Sequence, residues 1–480
     1  MNEGELEQLL VEWIHAVQPA DIPQRVLDVT NWFLLDALGV AMAGAASAGG
    51  REVMELVKSW GGRPESSLWV YGGRVPAPNA AFANSVLIHA LDFDDTYVQA
   101  GAHVNAVVLP AAMAAAEQAG GVTGRDFLCA LIVGSDMACR LGLAARDGLH
   151  PGRLPTALFG AFGAATAAGK ILKLDIDCLR NALGLAYAQT LGERQSLIDG
   201  ALAKRLEPGF AARDALFAVQ LAKRGITGPA KFLTGKAGLF ALYSNNDYDP
   251  LALTEGLGHR FYGAEMTLKS YPCCSAAQGV IEAALRIRAR GLPGLGEIEQ
   301  VVVYAPEDVL FLLAKPLGSG IHPQVDAQFN IPYLTASALL NGPVRIADIE
   351  PETVLANQPV QELSRRVSTA SIETERVRHV ELPVTVEVLL KDGRVRKETI
   401  EQPTGLCTDK DWNQTTASKF SDCMKYAYPD LSDAKVDRLM KMVLQLERLE
   451  KVECLIDELQ SVWSLPTFRK SVVRGKPSVV

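Results

Sequence analysis

Between Leu91 and His103 the chain places three carboxylates (Asp92, Asp94 and Asp95), the Thr96 hydroxyl and the His103 imidazole within a dozen residues. The run before them, residues 84–90, is apolar and reads as helix. Uncompensated charge at the end of a buried, Ala-rich helix is costly, so the cluster reads as a site. On helical spacing Asp92, Asp95 and Thr96 share one face. Asp94 reads as structural. Carboxylates beside an imidazole suit proton transfer near neutral pH.

Four polar groups, His103 among them, fall at or just before expected helix starts. His103 precedes the 105–118 run, and Lys204-Arg205 precede Pro208-Gly209-Phe210. Lys269 precedes Tyr271-Pro272-Cys273-Cys274, and Tyr333 follows Pro332. Helix N-termini present unpaired N–H groups and positive potential. Each lysine alone reads as an ordinary surface charge. Together they point to a polyanionic ligand such as a di- or tricarboxylate.

The elements that must position these groups are mostly helical. Apolar residues recur at three- and four-residue spacing in segments 25–39, 80–91, 109–118, 125–143, 157–172 and 213–223. The segments are rich in small residues, which predicts close helix packing. After Pro272 the character changes. A helix over 275–290, a strand over 300–304, a helix over 332–340 and a hairpin over 377–400 turning at Lys391-Asp392-Gly393 make an α+β block. Residues 411–460 read as helical again, with 441–453 as an amphipathic surface helix. The fold expected is mainly α: a helical domain over 1–263, an α+β lid domain over 264–404, a helical return over 405–462, and a tail over 463–480.

Composition narrows the function. The 480 residues carry 48% hydrophobic and 21% charged side chains, ample for a large core. A net charge of −8 argues against nucleic acid as a partner. The one basic concentration, Arg469, Lys470, Arg474 and Lys476, reads as a solvated tail. Eight cysteines without a C-x-x-C pair read as free thiols in a reducing cytoplasm. The polar start is not expected to be a signal peptide, and Asp36 interrupts the longest apolar stretch, so no membrane span is expected.

Several motifs fit only in part. Asp92-Phe-Asp94-Asp95-Thr96 matches the D-x-D-x-T nucleophile pattern of haloacid-dehalogenase-type phosphatases, but helical text precedes it and no βαβ alternation follows. It also matches D-x-D-D of helical terpene cyclases, yet 7% aromatic residues poorly supply a carbocation pocket. Residues 163–170 miss a P-loop by one residue and the following Ser/Thr. No His/Cys/carboxylate set has convincing zinc spacing.

The whole series resembles the MmgE/PrpD family. The resemblance rests on Asp92–Thr96 with His103 and Leu109-Pro110-Ala111, on the Thr156–Ala165 run, on Lys204-Arg205 with Pro208-Gly209-Phe210, on Lys269-Ser-Tyr-Pro-Cys-Cys, and on Gln328-Phe-Asn-Ile-Pro-Tyr333. It covers about residues 5–460. It implies a homodimer without metal or organic cofactor, acting on a small polycarboxylate. Asp92, His103, Lys204, Lys269 and Tyr333 would be catalytic, with Thr96, His150, Arg153 and Arg205 binding substrate. Three departures stand out: His103-Val104 where the family commonly has His-Pro, Leu154 or His150 at a family histidine, and Gln278 at another.

The family contains 2-methylcitrate dehydratases, cis-aconitate decarboxylases and an iminodisuccinate epimerase. The expectation is a cofactor-independent lyase of the 2-methylcitrate-dehydratase kind, removing a proton next to a carboxylate and expelling water. Decarboxylation of cis-aconitate and epimerisation of an aminodicarboxylate are the alternatives within the fold. A magnesium-dependent phosphatase using Asp92 and Asp94, or a non-catalytic dimeric binding protein, are the alternatives outside it.

Overall fold

The computed structural model describes residues 4–291, 294–372 and 383–469. It is mainly α-helical with a smaller α+β domain. At the centre of the helical domain, helix Pro155–Ile171 packs against Gly124–Ala145, Asn105–Ala119 and Glu207–Ala222. The small residues act here as expected. A Cβ on Gly134 would lie 2.5 Å from the Gly163 carbonyl, and one on Gly163 would lie 2.6 Å from that of Gly134. Only glycine permits that crossing. Helix Ala77–His89, which leads into the acid cluster, packs on Glu207–Ala222 and Asn105–Ala119.

Helices Gln24–Gly44 and Gly124–Ala145 are long and apolar enough to cross a membrane by length and composition, against the sequence expectation; both are mostly buried in the fold. Their charges are stitched inward. Arg140 pairs with Asp136 at 2.6 Å and donates to the carbonyls of Glu255 and Arg260 at 2.9 and 2.8 Å.

In the smaller domain the strand order is Val367–Ser371, Ile298–Ala305, Val384–Leu390, Val395–Ile400. The first pair is parallel and the others antiparallel. The hairpin turns at Lys391–Gly393 as expected; residues 377–382 of its expected first strand lie outside the described residues. Alternate residues of Val384–Leu390 are buried, on the face covered by helix Gln278–Ala289. The chain then returns to the helical domain. Helix Trp412–Ala427 lies along Gln24–Gly44, with the Trp412 ring edge-on to Trp32 and Phe33. Residues 441–453 are not one helix. Helix Asp433–Val443 ends, a 3-10 turn covers Leu446–Arg448, and helix Glu453–Trp463 follows. Of the basic tail, Arg469 pairs with Glu350 at 2.7 Å, and the other three residues lie outside the described residues. The eight cysteines are free.

Candidate active site

Helix Ala77–His89 stops before the acid cluster, so the expected helical face through Asp92, Asp95 and Thr96 does not form. The backbone turns, and Asp92 adopts a left-handed φ of 50°. Each acid therefore faces a different way. Asp92 points to the two lysines, Asp94 to two histidines, and Asp95 to the start of helix Asn105–Ala119. Asp95 accepts from the Val104 and Asn105 amides at 3.2 and 3.3 Å, so its role is to cap that helix.

Two other segments close around Asp92. Lys204 comes from the 3-10 turn Leu202–Leu206 and donates to Asp92 Oδ1. Lys269 donates to Asp92 Oδ2 and to the Asp92 carbonyl, both at 2.7 Å. Its segment is held by paired main-chain bonds between Thr96 and Thr267, at 2.9 and 2.8 Å, and by Leu268 N–H to the Gly405 carbonyl at 3.0 Å. Gln278, standing where the family resemblance suggested a histidine, fastens the next turn. Its carbonyl oxygen accepts from the Ser270 and Tyr271 amides at 3.0 and 3.1 Å, and its amide donates to the Tyr271 carbonyl at 2.9 Å.

Two residues missed by the sequence reading complete the cluster. His89 Nδ1 lies 2.9 Å from Asp94 Oδ2, and its Nε2 lies 2.8 Å from the Lys204 ammonium. An ammonium only donates, so His89 Nε2 accepts and Nδ1 carries the proton. Asp94 Oδ2 also lies 3.2 Å from His103 Nδ1, off the hydrogen-bond axis, and His103 Nε2 lies 4.0 Å from Asp92 Oδ1. The groups form a closed ring: Asp92, Lys204, His89, Asp94, His103 and back to Asp92. The signal for His89 was its place one turn before Asp92; its apolar neighbours disguised it.

All members are buried. Burial pushes the Asp92 carboxyl up, but Lys204 and Lys269 outweigh it and hold the group far below the usual carboxylate range. Burial opposes the Lys269 charge too, yet Asp92 and Asp94 keep that ammonium above its ordinary pKa. Burial lowers His89 to about 4 and also lowers His103. With both imidazoles neutral, two carboxylates balance two ammoniums. His89, Asp92, Asp94 and His103 also offer ligand atoms within 4.8 Å of one another, a set that could hold a metal ion. The Lys204 ammonium already bridges two of those groups.

The remaining expected site residues are dispersed. Thr96 is buried, and its hydroxyl has no partner among the described residues. Arg205 is buried beneath Lys204 and donates to the Ala48 carbonyl at 2.6 Å and to Gln324 Oε1 at 3.1 Å. Tyr333 sits in helix Ile331–Asn341, and its hydroxyl donates to the Asp348 carbonyl at 2.5 Å. His150 is exposed and accepts from the Gly152 amide, while Arg153 stacks 4.8 Å from the Tyr243 ring. Tyr333, His150 and Arg153 are therefore not brought into the ring. Leu154, the other candidate for the family histidine position, is buried at the start of helix Pro155–Ile171.

A buried ring of lysines, carboxylates and imidazoles between a helical domain and an α+β domain suits proton exchange on a small carboxylate. The chain belongs to the MmgE/PrpD family and is a lyase. The MmgE/PrpD N-terminal domain model matches residues 8–251, and the C-terminal domain model matches residues 271–446. Among its relatives is a cis-aconitate decarboxylase-like protein of Aspergillus oryzae, 26% identical over 95% of this chain and 97% of the relative. The cis-aconitate decarboxylase of Aspergillus terreus is 27% identical over 94% and 95% of the two chains. That of Homo sapiens is 27% identical over 92% of each. The phosphatase reading falls with the family and with the helix, not a strand, that precedes Asp92.

Proposed function

We propose that this lyase decarboxylates a small unsaturated tricarboxylate, cis-aconitate or a near analogue. The near end-to-end likeness to fungal and human cis-aconitate decarboxylases carries this reading. It favours loss of CO2, the alternative in the sequence reading, over the loss of water first expected. The geometry is suited to it. In decarboxylation the carbon–carbon bond to the leaving carboxylate breaks, and its electron pair passes into the adjacent unsaturated carboxylate. A proton then ends on carbon. Lys204 and Lys269 supply positive charge where that electron density collects. A bound polyanion beside neutral His103 favours its imidazolium, and Nε2 then delivers the proton. Thr96 offers its hydroxyl to the substrate. A homodimer acting on a polycarboxylate in the cytoplasm remains part of this proposal.

The test is a proton NMR time course in D2O with EDTA present, using cis-aconitate, 2-methylcitrate, citrate and an iminodisuccinate in parallel. Loss of CO2 from cis-aconitate with one deuterium entering the product is the expected result. Loss of water from 2-methylcitrate, with cis-aconitate untouched, would overturn the reading. Lys204→Ala and Lys269→Ala should each cost about 2–4 kcal/mol of transition-state stabilisation, measured from kcat/KM. A variant that keeps native kcat/KM removes that lysine from the site.

A further inference from the structure

Lys419 lies on helix Trp412–Ala427, far along the chain from the acid cluster, and is 9% exposed. Its ammonium donates to the Phe93 carbonyl at 2.7 Å and to the Lys269 carbonyl at 3.0 Å. It meets Asp36 Oδ1 at 2.7 Å and stands 3.8 Å above the centre of the Phe93 ring. An ammonium has three N–H donors; two go to these carbonyls, and Asp36 Oδ1 is met as an ion pair off the hydrogen-bond axis. Both carbonyls are main-chain groups of the site: Phe93 follows Asp92 directly, and Lys269 is Asp92's partner.

Stability alone does not account for this arrangement. A buried ion pair recovers little more than its desolvation cost, and an apolar pair of similar volume often serves as well. Neither Asp36 carboxylate oxygen has a hydrogen-bond partner among the described residues, so the pair is not completed for its own sake. An apolar pair could not hold two carbonyls from separate segments at a set distance. The ammonium does so while Asp36 balances its charge.

We propose that Lys419 is a positioning residue for the active site. It acts as a strut between the Asp92 turn and the Lys269 segment, so that Lys269 Nζ reaches both the carbonyl and the carboxylate of Asp92. The kinetic form of this inference rests on the decarboxylase reading; its geometric form does not. A cavity of about 280 Å³ beside Lys419 and Lys269 leaves room for a longer basic side chain.

The experiment compares Lys419→Met, Lys419→Arg and the double variant Asp36→Asn/Lys419→Met in the full chain. It measures kcat, KM and thermal unfolding, and it includes a crystal structure of the double variant. Lys419→Met should lower kcat about a hundredfold, with KM changing less than about threefold, as expected for a misplacement on the order of 1 Å. Lys419→Arg should restore at least about a tenth of native kcat. The double variant should regain thermal stability without regaining kcat, and its crystal structure should show Lys269 Nζ withdrawn from Asp92. Native kcat in Lys419→Met, or activity returning together with stability in the double variant, would overturn the proposal. Should the native protein fail to release CO2, the decarboxylase reading fails alone. The crystal structure then decides, and Lys269 still seated on Asp92 would refute the strut.

Discussion

Asp92 holds a backbone conformation that costs a residue with a Cβ about 1–2 kcal/mol. Lys269 offsets that cost by binding its carbonyl and its carboxylate at once. The neighbouring imidazoles report the state of the site. Burial lowers both His89 and His103 below the ordinary 6.5, so each is neutral at pH 7. Folding must exclude their protons. The stability they contribute is complete above about pH 6.5 and is lost as pH falls through their lowered values. In NMR titrations of the free protein, both rings should have midpoints below 6.5, with His89 near 4. Bound citrate should move the His103 midpoint upward. A His103 midpoint at or above 6.5 in the free protein would contradict the neutral ring. Residue types alone made Asp92, His103, Lys204 and Lys269 legible, because lysines and acids near helix starts are conspicuous. Asp94 read as structural and His89 as part of an apolar helix. Their pairing exists only once the chain turns after His89 and Asp92 takes its left-handed φ. Tyr333 was named from its place at a helix start, and His150 and Arg153 through the family resemblance; their local hydrogen bonds and stacking place all three outside the ring.

The elements show what periodicity carries and what it misses. Helical spacing located six helices of the first domain and the helical return after residue 411, because buried stripes recur every three or four residues; it did not single out Glu5–Ala16, Gly50–Trp60 or Ile176–Tyr187. It failed at 441–453, where the apolar residues suggested one amphipathic helix. There the Gly124 amide bonds the Leu449 carbonyl, and the Val452 amide bonds the Val122 carbonyl. A Cβ on Gly124 would lie only 1.7 Å from the Leu446 carbonyl. This close main-chain seam outcompetes a continuous helix, and nothing local in the sequence announces it. Gly405 is the corresponding close approach at the active site. It has a φ of +121°, and a Cβ there would lie 2.1 Å from the Leu268 carbonyl. Gly405→Ala should displace the segment carrying Lys269. The expected outcome is a stability loss of roughly 3 kcal/mol, read by denaturant unfolding, with a larger fractional loss in kcat/KM. Native stability in Gly405→Ala would mean that the segment shifts freely.

Across the whole molecule, the two domains meet beside the ring. Arg205 belongs to the helical domain, and Gln324 belongs to the α+β domain that closes over it. Phe329, from the same domain, places its ring 5.0 Å from the Lys204 ammonium. Arg205→Met should loosen this closure, raising amide exchange in helix Pro323–Gln328 while leaving helix Pro155–Ile171 protected. Equal exchange in native and variant protein would show that other contacts carry the closure. The α+β block was legible from its β-branched strand and hairpin. The parallel strand Val367–Ser371 and the cross-domain contacts were not, since they depend on partners far apart in the chain.

The returning helix has a consequence for biosynthesis. Trp412 and Lys419 leave the ribosome only after the whole α+β domain has been translated, yet the turn at Asp92 and the segment at Lys269 both rest on that helix. A nascent chain halted near residue 404 would hold the whole ring in its sequence with its seat unfinished. Competence should therefore come only once helix Trp412–Ala427 has emerged and packed.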